Sequence, residues 1–598
     1  MDNPERITYF AATDSRGKRV PFGIKAKDRG RHMYVIGKTG MGKSTLLENM
    51  AIQDIRNGEG FAFIDPHGSA VDKLLDYIPE ERVKDIVYFA PFDLERPIAF
   101  NVMEDVGYDK RHLVVSGLMA TVKKIWPDAW SARMEYILTN TLLALLEYPD
   151  ATLLGVNRMY TDKGYRKKVV DNVKDPLVKD FWVNEFATYT DRYTQEATPA
   201  IQNKIGQFTS NPLIRNIIGQ PTSSFDIREM MDEKKILLIN LSKGLVGDTN
   251  MKLLGSMLVT RIFLGAMSRA DLPEAELARV PKFYFYVDEF QNFANETFAE
   301  ILSEARKYNL NLIIAHQYIE QMEEEVRAAV FGNVGTTVTF RVGPFDAEVL
   351  ETVFFPEFTK EDLVNLGARQ IYLTLMIDGL GSRPFSAVTI PPIEAPPHSS
   401  RAQVIEASRT TYGNDRAPVE AAIYDELAAS REELAQEHAE ASARPPRRGP
   451  FQPDRSGRPT LSSPARAAHP PAAPHTAEPV AASQPPRPTA PVSRPESRGR
   501  TSAPERERRE RCEAPPAAGP NSAQGSAGHR KSAEDLRSIL RLMTAKRESE
   551  TVEKATNDKQ SLKGALASVL ATEPPPRIDK RPFEVSEDAL RSVLNGEA

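Results

Sequence analysis

The chain has 598 residues and a formal net charge of -5 at pH 7. It is long enough for several domains and is not a wholly basic nucleic-acid binder, so any DNA contact falls to a local patch or a channel lining. Its one cysteine, Cys512, excludes a disulfide framework and a cysteine-ligated zinc site and fits a reducing compartment. The opening residues, MDNPERITYF, do not join a basic flank to an apolar run, and no uninterrupted apolar run of about 18 residues occurs, so we expect a soluble protein without its own membrane anchor.

In chain order, HMYVIG reads as a strand, 43–57 as a helix ended by Gly58, and GFAFID as a second strand, which together make a βαβ unit. DIVYFA at 85–90 is a further strand. From 108 to 233 the pattern is helical, with LLALLEYP, DPLVKDFWVNEFATY and IQNKIGQFTSNPLIRNII its clearest amphipathic or buried pieces. Strands resume with ILLINL (236–241), FYFYV (283–287), LNLIIA (310–315) and TTVTFRV (336–342), separated by helical patterns. That alternation predicts an α/β fold with a mainly parallel sheet, formed by 1–107 and 234–393, into which an all-α domain at 108–233 is inserted. Near Pro391 the composition turns to Pro, Ala, Arg and Ser, and 394–598 is expected to be a mostly disordered tail. Within it, SAEDLRSIL and SEDALRSVL repeat one helical stripe, and ALASVL is a weaker copy. These place short helical motifs near 532–543, 562–570 and 586–594, suited to an unidentified protein partner or to transient helix alone.

GKTGMGKS at 37–44 has the spacing G-x-x-x-x-G-K-[ST] between a predicted strand and a predicted helix. Gly37, Gly40 and Gly42 let the backbone curl so that N–H groups face phosphates; Lys38, Thr39 and Met41 complete the loop. Lys43 is expected at the β and γ phosphates of ATP, Ser44 on Mg²⁺ and Thr45 near the α phosphate. FYFYVDEF ends a buried strand in two carboxylates, Asp288 for Mg²⁺ and Glu289 for the attacking water. Gln317, after LNLIIAH, would face the γ phosphate, with His316 packing behind it. FIDPHG offers Asp65 and His67 to the same crevice, where an Asp-Pro turn explains Asp65 equally well. Arg306 and Arg341 are candidates for a cation supplied to a neighbouring subunit's nucleotide. Lys243, in LSKGLVGDTN, either touches a DNA backbone or sits in a plain turn.

GKTGMGKS, FIDPHG, the helical insertion, FYFYVDEFQNFA, SEARKYNLNLIIAHQ and TFRVGPFDAEVL together resemble the coupling-protein ATPases of type IV secretion and conjugation, within the FtsK/HerA superfamily, over residues 31–376. The resemblance implies a RecA-like P-loop ATPase, a homo-hexameric ring whose channel handles DNA, and secretion components and a relaxase-like substrate protein as partners. Two features depart from the pattern. Coupling proteins of this kind begin with transmembrane helices, which are missing here, so we expect a cytoplasmic protein, peripheral to the membrane through a partner. HerA-type helicases carry an N-terminal β-barrel, and the residues before the first strand are fewer than the about 40 that a small domain needs. A pilus-assembly ATPase and a nucleotide-switched receptor for protein substrates are the competing readings.

Overall fold

Apolar residues occupy both faces of the central strands, and in the computed structural model, which describes residues 3–14 and 18–428, those strands lie between two helical layers. The strands are β1 (Ile7–Thr13), β2 (Pro21–Lys25), β3 (Met33–Ile36), β4 (Gly60–Asp65), β5 (Ile86–Phe89), β6 (Ile236–Asn240), β7 (Phe283–Val287), β8 (Leu310–His316), β9 (Thr336–Thr339), β10 (Gln370–Thr374), the small hairpin β11 (Met376–Ile377) and β12 (Leu380–Gly381), and β13 (Phe385–Thr389). All but the hairpin join one 11-stranded sheet in the order β2-β1-β13-β10-β9-β3-β8-β7-β4-β6-β5. From β9 to β5 every pairing is parallel. From β9 to β2 every pairing is antiparallel. The predicted parallel sheet is therefore one part of a larger mixed sheet.

Successive residues of a strand face opposite sides, which divides the core in two. Met33, Val35, Phe61, Phe63, Tyr284 and Tyr286 pack under α1 (Lys43–Arg56) through Leu46, Leu47 and Met50. Tyr34, Ile36, Ala62, Ile64, Phe285 and Val287 pack on the other side, in one core with Val115, Ile137, Leu254 and Leu258. The helices between β5 and β6 thus share a core with one face of the sheet. The helix Asp248–Met267 is continuous with the stretch Asp248–Asp271, which among the described residues is the one long and apolar enough to cross a membrane; 72% of its apolar window is buried inside the protein.

The expected start of the tail at 394 is corrected. Arg401–Tyr412 is a helix whose Val404 is buried in the core under α1, whose Ser408 Oγ accepts the Tyr88 N–H at 2.9 Å, and whose Arg409 stands 2.8 Å from Asp93. Residues 416–428 form another helix, which packs Val419 and Ile423 on Leu154. A few buried side chains per helix suffice here, because an existing surface receives them. The motifs expected near 532–543, 562–570 and 586–594 lie outside the described residues.

Candidate nucleotide-binding site

β3 ends at Ile36 and α1 begins at Lys43, so the glycine loop bridges a buried strand and a helix N-terminus. Gly42 stands before α1 at φ 118°, a region that side-chain-bearing residues rarely adopt. At Gly37 a Cβ would lie 2.5 Å from Phe340 Cβ, so the close approach of the two chains requires glycine. The loop is pinned from both neighbouring strands: Gly37 N–H donates to His316 O at 3.2 Å and Lys38 N–H to Arg341 O at 2.9 Å. Thr39 and Gly40 are exposed at its tip, and Lys38 and Met41 are half-buried. Lys43 is buried and curls back onto the loop, its Nζ donating to Gly37 O at 2.6 Å and Lys38 O at 3.3 Å. Burial lowers the pKa of its ammonium group, against the opposing pull of Asp288 and Glu289.

Ser44, in the first turn of α1 beside Thr45, donates its hydroxyl to Asp288 Oδ2 at 2.9 Å. Asp288 directly follows β7 and is buried, and burial, with Asp65 and Glu289 adding repulsion, pushes its carboxyl up to about 6. A hydroxyl and a carboxylate oxygen from two elements are hard donors of the kind Mg²⁺ accepts, with water and phosphate oxygens completing its shell. Among the described residues no group of three or more His, Cys, Asp or Glu is placed to hold a metal alone.

Glu289 sits at φ 46°, in the left-handed region, a local strain common where side chains are aimed for chemistry. Gln317 Nε2 donates to its Oε1, and His67 Nε2 stands 3.2 Å from its Oε2. The structure thus brings Gln317 to Glu289. His316 is fully buried between the Tyr34 and Phe290 rings. Its Nδ1 meets Tyr34 OH at 3.2 Å, its Nε2 has no partner, and burial, with Lys43 and Lys124 nearby, lowers it to about 3, so it packs as a neutral ring.

The remaining candidates separate. Asp65 accepts the N–H groups of His67 (2.8 Å), Ala70 (2.7 Å) and Val71 (3.3 Å), so its carboxylate closes the turn into the helix Ser69–Leu74. Lys243 pairs with Asp248 at 2.6 Å in the short helix Lys243–Val246 after β6. Arg341 holds the phosphate loop of its own chain through its carbonyl. Arg306 is exposed in the turn before β8, the full strand, about 20 Å, from the end that meets the loop.

Two basic residues near the site were not anticipated. Arg369, at φ 64°, donates its N–H to Met41 O at 3.2 Å and lies against Gly42. Lys124, from the helix Arg111–Ile125, donates to Gln291 O at 2.8 Å. No spacing rule connects either residue to a motif in sequence.

The structure is similar to the bacterial conjugative coupling protein TrwBdeltaN70 in its unbound monoclinic form, at 16% identity over 66% of this chain and 91% of that one, with a TM-score of 0.46. It is similar to the plasmid coupling protein TrwB in complex with ADP and Mg²⁺, at 15% identity over 64% and 89%, with a TM-score of 0.45. VirB4 of Thermoanaerobacter pseudethanolicus is similar at 14% identity over 67% and 99%, with a TM-score of 0.42. No curated protein matches the chain in sequence. Residues 18–352 match the family model of the type IV secretion-system coupling protein DNA-binding domain, and the chain belongs to that family.

Proposed function

We propose that the chain is an ATP-hydrolysing motor that moves DNA, with an attached relaxase-like protein, into a type IV secretion or conjugation apparatus. The observation that carries the reading is the meeting of Lys43, the Ser44–Asp288 pair and the Glu289–Gln317 pair at one end of the parallel strands. Ligand crevices of open α/β sheets lie at that end.

Lys43 exchanges the carbonyls of Gly37 and Lys38 for β and γ phosphate oxygens, while the loop's backbone N–H groups, with Thr45 beside the α phosphate, take the rest. Ser44 and Asp288 would hold Mg²⁺, which would supply neutralising charge at the phosphates. Glu289 Oε2 accepts a proton of the attacking water as the new P–O bond forms and the bond to the β–γ bridging oxygen breaks, leaving ADP and hydrogenphosphate. Gln317 fixes the other carboxylate oxygen, so the base is aimed before the water arrives. Arg306, exposed far from its own loop, or Arg341, whose backbone carbonyl holds its own loop, supplies a cation to the nucleotide of a neighbouring subunit in a homo-hexamer. The family's DNA-binding description supports DNA as the moved polymer.

The test is steady-state ATP hydrolysis by the full chain, titrated with single-stranded and duplex DNA. We expect stimulation by one form, and none in Glu289→Gln, which keeps ATP affinity. Turnover indifferent to both DNA forms would sink the DNA motor in favour of pilus assembly or protein reception.

A further inference from the structure

Beside the nucleotide crevice lies a cavity of about 370 Å³, lined by Glu289 and Gln317 and by Lys124, Lys252, Gln291 and Gln321. A water occupies about 30 Å³ in the liquid, so this space holds a tetrahedral oxyanion with several waters. Its polar groups are incompletely matched. Lys124 has three N–H donors, of which one reaches Gln291 O, and it has no ion-pair partner among the described residues. Lys252 shares one carboxylate, Asp248, with Lys243, at 2.8 and 2.6 Å. Gln291 Oε1 is buried with no donor. Burial of Lys124 lowers its ammonium to about 8, against the opposing charge of Glu323 and with the like charge of Lys252 adding to the shift. Lys43 and Lys124 both act on the His316 ring, so the phosphate-loop lysine and the lysine of the helical block are electrostatic neighbours of one site.

An occupant that completes this set needs acceptor oxygens for the ammonium groups and a hydroxyl for Gln291 Oε1. We propose that the cavity binds the hydrogenphosphate released from ATP, with Lys124 as its anchor. The proposal rests on the ATPase reading. Hydrogenphosphate has both kinds of group; sulfate has the charge without the donor. Lys124 keeps its bond to Gln291 O, two residues beyond Glu289, and offers its remaining N–H groups to the anion, so the helix Arg111–Ile125 contributes a direct contact to the product.

The experiment is equilibrium dialysis of radiolabelled inorganic phosphate against the full chain saturated with MgADP. Wild type should bind phosphate saturably, Lys124→Met at least tenfold more weakly, Lys252→Met by a smaller factor, and Lys124→Arg close to wild type. MgADP affinity should be unchanged in all three variants, which also reports their folding. Sulfate should compete at least tenfold less well than phosphate. Equal phosphate affinity in wild type and Lys124→Met overturns the proposal, as does displacement of phosphate by a short oligonucleotide, which would make the cavity a contact for DNA backbone. Absent phosphate binding with MgADP affinity intact defeats this proposal alone, whereas a wild type that does not bind MgADP defeats the ATPase reading with it.

Discussion

α1 has charged groups near both of its ends, and the two sets are arranged in opposite ways. At its N-terminus the Lys43 ammonium rests on carbonyls, Ser44 donates to Asp288, Glu289 is held in a left-handed conformation, and His316 Nε2 has no partner. Toward its C-terminus Asp54 forms a bidentate pair with Arg29 at 2.6 and 2.8 Å and accepts Tyr286 OH at 2.5 Å. Arg29 also lies 3.5 Å over the Tyr284 ring and donates to Thr8, which leaves its Nε as the one group there without an acceptor. Both sets join α1 to β7, one through Ser44 and Asp288, the other through Asp54 and Tyr286. The closed set holds the helix against the strand, and the open set leaves charge available to a ligand. Polar groups of the same types close on one another in one place and stay open to a ligand in the other, and the difference is whether each finds its partner inside the protein.

The largest effects come from breaking the open set. Glu289→Gln should lower turnover by about 10²–10⁴-fold with ATP still bound. Lys43→Ala should weaken ATP binding about a hundredfold, since charge-assisted hydrogen bonds to phosphate are lost. Fluorescent-nucleotide titration beside a turnover assay separates the two, and equal loss of binding in both variants would remove the base role from Glu289.

Breaking the closed set should reduce stability instead. Asp54→Ala leaves a guanidinium buried without its counter-charge, at a cost of about 3–5 kcal/mol, whereas the double change Arg29→Met with Asp54→Leu should cost less. Urea unfolding measures both, and a loss under about 1 kcal/mol for Asp54→Ala would contradict a buried, coupled pair.

A smaller effect sharpens the comparison through pH. His32, just before β3, is buried, its Nε2 3.2 Å from Leu302 O while its Nδ1 accepts the Leu312 N–H at 3.0 Å. A proton on Nδ1 would face that N–H. Burial lowers the ring to about 4, with the Arg306 charge adding to the shift. The unfolded chain therefore takes up a proton near 6.5 that the folded chain refuses until about 4. Stability falls as pH drops through this window, by on the order of 3 kcal/mol from His32. His32→Gln should flatten the fall in urea stability between pH 6.5 and 4; an unchanged slope would show that His32 is not the group responsible.

The comparison also explains what was legible. β3, β4, β6, β7 and β8 read clearly because strands covered on both faces need apolar residues at almost every position. β1, β2, β10 and β13 are only partly buried, and β1 pairs Ala11 with Thr389, so neither strand is recognisable without the other. The helices at 401–412 and 416–428 were assigned to the tail by composition, because a docked helix needs only residues such as Val404, Val419 and Ile423 to face an existing surface. Asp65 is ambiguous in the sequence because a carboxylate after a strand serves a turn or a metal equally; in the structure it accepts three N–H groups of the turn and also acts on Asp288.

By itself the sequence determined the phosphate loop, the paired carboxylates after β7 and the apolar strands of the parallel core, since each depends on residues adjacent along the chain. Tertiary structure alone decided the Arg29–Asp54 lock, the reach of Lys124 toward the nucleotide crevice, the antiparallel extension of the sheet and the hold of Gln317 on Glu289. These depend on which distant residues meet, and local spacing constrains conformation within an element but not the distance between elements.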